Sequence, residues 1–262
     1  METNEGRNSP FQHSRQRDIY MLTLKQGSVD VSDLATRFSV TTETIRRDLS
    51  DLQERQLLRR VHGGAVPLEQ LSHEPMISAR EMLNAEEKLR IARSALSEVP
   101  MQGSVIIDSG STGQRLAEVF PIDRPVHVVT NSLASALTLS RRGLQDITVL
   151  GGGVRANTFA MTDASAVSVV RQLAVDVLFI SCDGLSFRRG LTTPYREESI
   201  LKRAMIESAR RVVAIVDESK FGNGQMFSYA ALDELDVLIT DIRVDDDTAE
   251  ILAAHDFDFR RA

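Results

Sequence analysis

The chain has a single cysteine, Cys182, so no internal disulfide and no cysteine-based zinc cage can form. Its five histidines are scattered without metal-ligand spacing, and neither a metal nor another cofactor is expected. Long apolar runs are missing as well. Nothing approaches the ~20 apolar residues that span a bilayer, and the opening METNEGRNSPFQHSRQRD lacks the apolar core of a signal peptide. Neither membrane insertion nor secretion is expected, and with so little cysteine the expected location is the cytoplasm. Net positive charge is absent too: 31 Lys/Arg stand against 37 Asp/Glu, a formal charge of −6. That balance argues against a nucleic-acid partner until the chain is divided at Pro67. Up to that residue there are 10 Lys/Arg and 9 Asp/Glu, and beyond it 21 and 28. DNA binding requires local positive charge rather than a basic whole chain.

What is present is an ordinary globular composition, 42% hydrophobic and 26% charged over 262 residues, enough to bury a core unaided. Residues 1–13 are polar and aperiodic and read as disordered. A helix is predicted over 14–26, with Ile19, Leu22 and Leu24 on its apolar side and Gly27 as a left-handed stop. A second is predicted over 32–38 with Ser32 as N-cap, and a third over 42–56 burying Ile45, Leu49 and Leu52. Residues 57–66 change period and read as two short strands around Gly63-Gly64, a β-wing. The expected organisation is a DNA-binding domain at 14–67, a linker at 68–84 with room for a short helix, and an α/β domain at 85–262.

Three helices and a wing can present one helix to the major groove, which admits an α-helix. Thr41, Thr42 and Thr44 open the third helix, where hydroxyls and backbone amides can meet phosphates or base edges. Arg46 and Arg47 follow on the side away from Ile45 and Leu49 and can reach guanine edges or phosphate. Arg59, Arg60 and His62 on the wing can clamp the flanking backbone or minor groove. The residues alone also allow a small dimerisation domain whose arginines pair with Asp48, Asp51 and Glu54.

Beyond the linker, an amphipathic stretch at 85–99 leads into apolar strand candidates at 105–108, 126–130, 147–150, 177–182, 212–216 and 237–240. Helical patterns at 112–120, 133–140, 164–173 and 197–209 separate several of them. Such alternation implies a parallel sheet with helices on both faces. Asp108-Ser109-Gly110-Ser111-Thr112-Gly113 joins a strand to a helix, and glycine, hydroxyls and free amides at a helix N-terminus suit a phosphate. The run is not a dinucleotide fingerprint and lacks a P-loop lysine. Further polar or glycine turns at Thr130-Asn131-Ser132, Gly151-Gly152-Gly153 and Cys182-Asp183-Gly184 follow other strands. All would gather at the carboxyl edge of the sheet, where open α/β folds bind ligands. Glu198 and Lys202, four apart on a helix, read most simply as a surface ion pair, and Lys220 as a lysine able to meet an anion or solvent.

The segment V-x-V-S-D-L-A-x-R-F-x-V-T-x-E-T-I-R-R-D-L-x-x-L, followed by L-L-x-R-V-H-G-G-A, resembles the winged-helix domain of the DeoR family of bacterial transcriptional regulators. The later runs D-S-G-S-T, V-T-N-S-L, L-G-G-G, D-G-L, E-S-I-L-K-R-A-M, V-D-E-S-K-F-G and I-T-D look like that family's effector domain. The resemblance implies a ribose-phosphate-isomerase-like fold, an effector that is a phosphorylated sugar or polyol, and repression of a catabolic operon. It also implies a homo-oligomer on double-stranded operator DNA. Ser109, Gly110, Ser111 and Thr112 would then hold the phosphate, with Asp108 beside them among the effector-binding residues, and Asn131, Gly152, Asp183, Glu198, Lys202 and Lys220 would line the sugar side. Three departures stand out. Ser111 replaces the first threonine of the family's D-x-G-T-T and keeps the hydroxyl; Ser199 replaces an alanine; and Thr162-Asp163-Ala164 lacks a glycine usual there, which alters that part of the pocket. Two other readings stay open: a sugar-phosphate isomerase with an accessory DNA-binding domain, and a nucleoid-type protein with no ligand.

Overall fold

The computed structural model describes residues 10–55, 57–67, 76–242, 252 and 255–262. The expectations placed on residues 1–9, 56 and 68–75 lie outside that range. The chain divides into two compact units, Met1–Leu83 and Asn84–Ala262.

The first unit runs α1 (Pro10–Gln26), β1 (Val29–Asp30), α2 (Val31–Phe38), α3 (Thr42–Glu54), β2 (Leu58–Val61), β3 (Gly64–Pro67) and α4 (Ile77–Met82). Residues 10–13, expected to be disordered, are helical. Pro10 suits a first helical turn because its missing N–H has no intrahelical partner there. The turn is also held from outside by Gln12, whose Nε2 donates to Asp51 Oδ2 at 3.2 Å. The N-cap of α2 is Asp30, not Ser32: its carboxylate accepts from the amides of Ser32 and Asp33. Gly27 stops α1 at φ 77° as its position suggests.

Ile19, Leu34, Ile45, Leu49, Leu52 and Leu58 are fully or almost fully buried against one another. Each such side chain contributes about 1.5–3 kcal/mol, so the inward stripe of α3 outweighs anything its exposed charges add. The strands form an antiparallel sheet in the order β1-β3-β2. Gly64 is required there, because a Cβ would sit 1.9 Å from the carbonyl oxygen of Val29 on the neighbouring strand.

The second unit opens with α5 (Ala85–Ala95), then β4 (Gly103–Ile107), α6 (Ser111–Val119), β5 (Val126–Thr130), α7 (Leu133–Arg141) and β6 (Ile147–Val149). It continues through α8 (Ala164–Val170), β7 (Val175–Ile180), β8 (Gly184–Ser186), β9 (Gly190–Thr193), α9 (Arg196–Ser208), β10 (Ala209–Ile215), β11 (Phe227–Ala230), β12 (Val237–Thr240) and β13 (Asp258–Arg261). Seven strands form one parallel sheet in the order β13-β12-β10-β7-β4-β5-β6.

Helices cover both faces. On one, Ile91, Leu116, Phe120 and Leu139 of α5, α6 and α7 and the turn after α6 pack on Val105, Val128 and Phe179. On the other, Val167, Val170, Leu201 and Met205 of α8 and α9 pack on Ile106, Leu178 and Ala214. The sequence did not reveal β13 or a small antiparallel sheet, β11-β9-β8, whose Leu185, Leu191 and Tyr229 extend the second core.

The strand order sets the ligand geometry. From β4 the chain adds β5 and β6 on one side, then returns to lay β7, β10, β12 and β13 on the other. The winding therefore reverses between β4 and β7. At such a switch point the connections leave in opposite directions and open a crevice at the strands' carboxyl ends. Among the described residues no helix is long and apolar enough to cross a membrane, and no group of three or more His, Cys, Asp or Glu could hold a metal.

Candidate nucleic-acid interface and effector site

In the first unit, Thr41 caps α3: its hydroxyl accepts from the Thr44 amide at 3.1 Å and lies 2.9 Å from the Thr44 hydroxyl. Thr42, Arg46 and Arg47 are exposed on the outer side of the helix. Arg46 reaches Glu43 at 3.5 Å in an open pair, and solvated pairs of this kind hold little. Asp48 and Asp51 of α3 are occupied elsewhere. Arg15 donates from Nε and Nη2 to both oxygens of Asp48 at 2.6 and 3.2 Å, and Gln16 donates to Asp48 at 3.2 Å and to Asp51 at 2.9 Å. Asp48 is 1% exposed. The pairing of Arg46 and Arg47 with Asp48 and Asp51 is thus overturned, because α1 takes both carboxylates from behind.

On the wing, Arg59 and His62 are exposed. Arg60 is braced on α3, its amide donating to Gln53 Oε1 at 2.8 Å and its Nη1 to Ser50 Oγ at 2.7 Å. The wing's position is thereby tied to that of α3.

In the second unit, Asp108 and Ser109 follow β4, and Ser181 follows β7 directly across the switch point. Gly110 sits at φ 130°, ψ 164°, a conformation open essentially to glycine, and a Cβ there would come 2.8 Å from Ser181 Oγ. It is the N-cap of α6 and offers no capping side chain. The first helical bond is made by the Gln114 amide to Gly110 O at 2.9 Å, so the amides of Ser111, Thr112 and Gly113 lie ahead of the helical ladder. A helix N-terminus of this kind attracts anions through its dipole and its free N–H groups. Ser109, Ser111 and Thr112 are all buried beside it. Ser109 is oriented by Asn131, whose Oδ1 accepts from the Ser109 amide at 2.8 Å and whose Nδ2 donates to Ser109 Oγ at 3.1 Å.

Behind this turn lies a buried charge network. Lys202 Nζ donates to Asp108 Oδ2 and, at 2.8 Å, to the Ser181 carbonyl. It also faces Glu198 Oε1 at 3.4 Å and the ring of Tyr229 at 5.5 Å. The side chains of Lys202 and Asp108 are 2% and 1% exposed. The expectation of a surface pair at Glu198 and Lys202 is therefore wrong: α9 turns this i,i+4 pair inward, onto the carboxyl end of the sheet. Burial works against the ammonium, but Asp108 and then Glu198 more than offset it and hold its proton affinity above the ordinary lysine value.

Arg155 completes the chain of charges, donating to Glu198 Oε2 at 3.1 Å with its guanidinium 4.1 Å from the centre of the Tyr195 ring. Asp183, after β7, accepts from Thr193 Oγ1 at 2.8 Å. Lys220 is half-buried in the turn that follows β10. The neighbouring Asp217 is held below the usual carboxylate range, since Lys88 and the Ser219 hydroxyl outweigh its burial.

Gly152 lies in the exposed loop after β6. The departure at Thr162-Asp163-Ala164 has a structural role. The Asp163 carboxylate caps α8 through the Ser165 and Ala166 amides and accepts from the Gly153 amide at 2.6 Å. Those backbone bonds, Gly153's foremost, hold its carboxyl below the ordinary range. The loop after β6 is thus pinned by a side chain that glycine would lack.

The structure therefore brings Asp108, Ser109, Gly110, Ser111, Thr112, Asn131, Glu198 and Lys202 together at the switch point, with Asp183 and Lys220 at the ends of adjoining strands. Sequence reasoning missed Ser181, Arg155, Tyr195 and Tyr229. Only Ser181 carried a signal, being next to a turn already singled out.

Comparison with known proteins accounts for both units. Residues 15–70 match the DeoR-like helix-turn-helix domain, and residues 83–242 match the DeoR C terminal sensor domain. The HTH-type transcriptional regulator GlpR of Haloferax volcanii is 34% identical over 90% of this chain and 92% of its own. The glycerol-3-phosphate regulon repressor of Escherichia coli K12 is 31% identical over 93% and 96%. The transcriptional repressor AccR of Agrobacterium fabrum is 30% identical over 87% and 88%. Among solved structures, ribose 5 phosphate isomerase A from Neisseria gonorrhoeae covers 51% of this chain and 52% of its own at 21% identity and a TM-score of 0.37. A likeness that distant carries no argument about activity, and these relatives are named as regulators. The catalytic alternative is set aside accordingly.

Proposed function

Because this chain belongs to the DeoR family of transcriptional regulators, we propose that it represses a sugar or polyol catabolic operon until a phosphorylated intermediate of that pathway releases it. The first unit holds double-stranded operator DNA. Arg46 and Arg47 of α3 enter the major groove, Thr41, Thr42 and Thr44 meet the backbone at its start, and Arg59, Arg60 and His62 hold the flank. Two copies acting together place two reading helices on a repeated or palindromic site, and the protein works in the cytoplasm.

The effector's phosphate sits on the N-terminus of α6, met by its amides and by Ser109, Ser111 and Thr112, with Gly110 supplying the close approach. Its hydroxyls face Asn131, Asp183 and Glu198, with Gly152, Lys202 and Lys220 around them. The carrying observation is the uncapped N-terminus of α6 at the switch point between β4 and β7. Asp108 and Lys202 support this site from behind rather than spending their charges on the ligand. By linkage, an effector that lowers operator affinity binds the DNA-free form more tightly by the same factor.

The test pairs two variants. Arg47→Ala lowers operator affinity by roughly 5- to 150-fold, the worth of one good base contact, and leaves effector affinity unchanged in calorimetry against a panel of sugar and polyol phosphates. Lys220→Ala does the reverse. Unaltered operator affinity in the first, or unaltered affinity for the effector found in the second, removes the corresponding assignment.

A further inference from the structure

The two edges of the seven-stranded sheet are built differently. At one, β13 presents Asp258, Arg260 and Arg261, the charged residues by which natural sheets discourage strand addition. At the other, β6 is Ile147-Thr148-Val149, with no charge and no proline. Val128 N donates to Asp146 O and Leu150 N donates to Thr130 O, so the backbone groups of 146, 148 and 150 turn toward β5. Those of Ile147 and Val149 point outward, where among the described residues no strand pairs with them.

The surface beside this edge is apolar. Leu133 and Leu137 of α7 are 41% and 51% exposed, Val149 is 38% exposed, and Phe159, whose carbonyl accepts from the Leu133 amide, is 43% exposed. The shallow groove between α7 and β6 has no charged residue in its lining.

We infer that this edge is where a second copy of the chain docks, its β6 pairing antiparallel with β6 about a two-fold axis through Thr148. Three observations select that occupant. The outward groups at 147 and 149 are spaced so that Ile147 of one copy faces Val149 of the other, giving two equivalent hydrogen-bonded pairs around a central unbonded pair at Thr148. The chain beyond Pro67 has 21 Lys/Arg against 28 Asp/Glu, so like copies repel across most surfaces and meet best across this uncharged one. Pairing β6 with β13 instead would be head-to-tail, which grows into open filaments, and the charges of β13 oppose it. The closed arrangement also brings the exposed faces of the two α7 helices beside the joined sheet. The regulatory reading above supposes two copies but not how they meet.

The experiment uses the full chain. Wild type sediments as a concentration-dependent dimer or a multiple of one. Leu137→Glu, at an exposed position that leaves the core intact, weakens that association by about 30-fold or more, as loss of an interface anchor does. Thr148→Cys forms a covalent dimer on mild oxidation, because residues opposite each other in an unbonded antiparallel pair have Cα atoms about 4.5 Å apart, within disulfide reach. Asp258→Cys on the other edge does not, and the native Cys182 is buried. A protein that is monomeric throughout overturns both the surface and the supposition of two copies. An oligomer unaffected by Leu137→Glu and not cross-linked through Thr148→Cys overturns the surface alone.

Discussion

Asp108→Asn tests the buried network most directly. In the wild type, Asp108 Oδ2 accepts from Lys202 Nζ, from the Ser181 amide at 3.2 Å and from the Ser181 hydroxyl at 3.3 Å. Asparagine keeps the shape and one acceptor but leaves the ammonium with Glu198 at 3.4 Å as its nearest counter-charge and Asp183 behind it. Removing one member of a buried pair costs about 3–5 kcal/mol. Because Glu198 remains, the lower end applies, about 3 kcal/mol. The unit Asn84–Ala262 is of a size for which each kcal/mol lowers Tm by about 2–4 °C. Calorimetry should therefore show its transition falling by ~6–12 °C while that of the first unit stays put. Lys202→Met added to Asp108→Asn should recover much of the loss, since no unpaired charge remains. Lys202 has its proton affinity raised in the fold, so its contribution is complete below the unfolded lysine pKa of ~10.4 and fades only as pH climbs through the folded value. A drop smaller than ~2 °C, or strictly additive single and double variants, would refute the reasoning.

Gly110→Ala should cost about 2 kcal/mol in urea unfolding, from the strain of φ 130° and the displaced Ser181 hydroxyl; a cost near zero would show the turn to be adaptable. Asp48→Asn should lower only the first unit's transition, by about 1–3 kcal/mol, as Arg15 and Gln16 lose a buried charged acceptor; an equal loss in both transitions would count against it. Burial, and after it Asp183, pushes the Cys182 thiol up to about 12. An unfolded thiol ionises near ~8.5, so this residue's part of the stability is lost as pH rises above that value, by about 1.4 kcal/mol per pH unit up to the folded value. Cys182→Ala should flatten the alkaline decline, and an unchanged slope would remove Cys182 as its source.

The alternation of apolar strands and amphipathic helices was plain in the sequence because each central strand is buried on both faces and each helix on one. The helix-turn-helix was plain for a similar reason: Ile45, Leu49 and Leu52 leave their periodic signature wherever they pack. What escaped depends on contacts distant in sequence. Residues 10–13 carry no apolar period, and α1 extends to Pro10 because Gln12, Arg15 and Gln16 meet carboxylates on α3. The charges that make β13 a protected edge also hide it as a strand. For the site, turns following strands were legible one by one, as was a Glu-Lys pair four apart. Spacing along a helix does not say which way that helix faces, so burial of the pair depended on how α9 packs. Ser181, Arg155 and Tyr195 join through three separate segments, and nothing local links them.

The capture of Asp48 and Asp51 by α1 bears on how such a protein searches a genome. A strongly basic reader binds any duplex through released counterions, and competing sites then absorb much of its population. Here Asp48 and Asp51 are held by Arg15 and Gln16 of α1, leaving Arg46 and Arg47 prominent on a unit with almost no net charge. On the proposed reading, grip on arbitrary DNA should accordingly be weak, while grip on a matching site should draw on a few arginines in register. Little of the protein would then be lost to irrelevant sequence, and a copy released from its operator would return to solution rather than to the nearest stretch of chromosome.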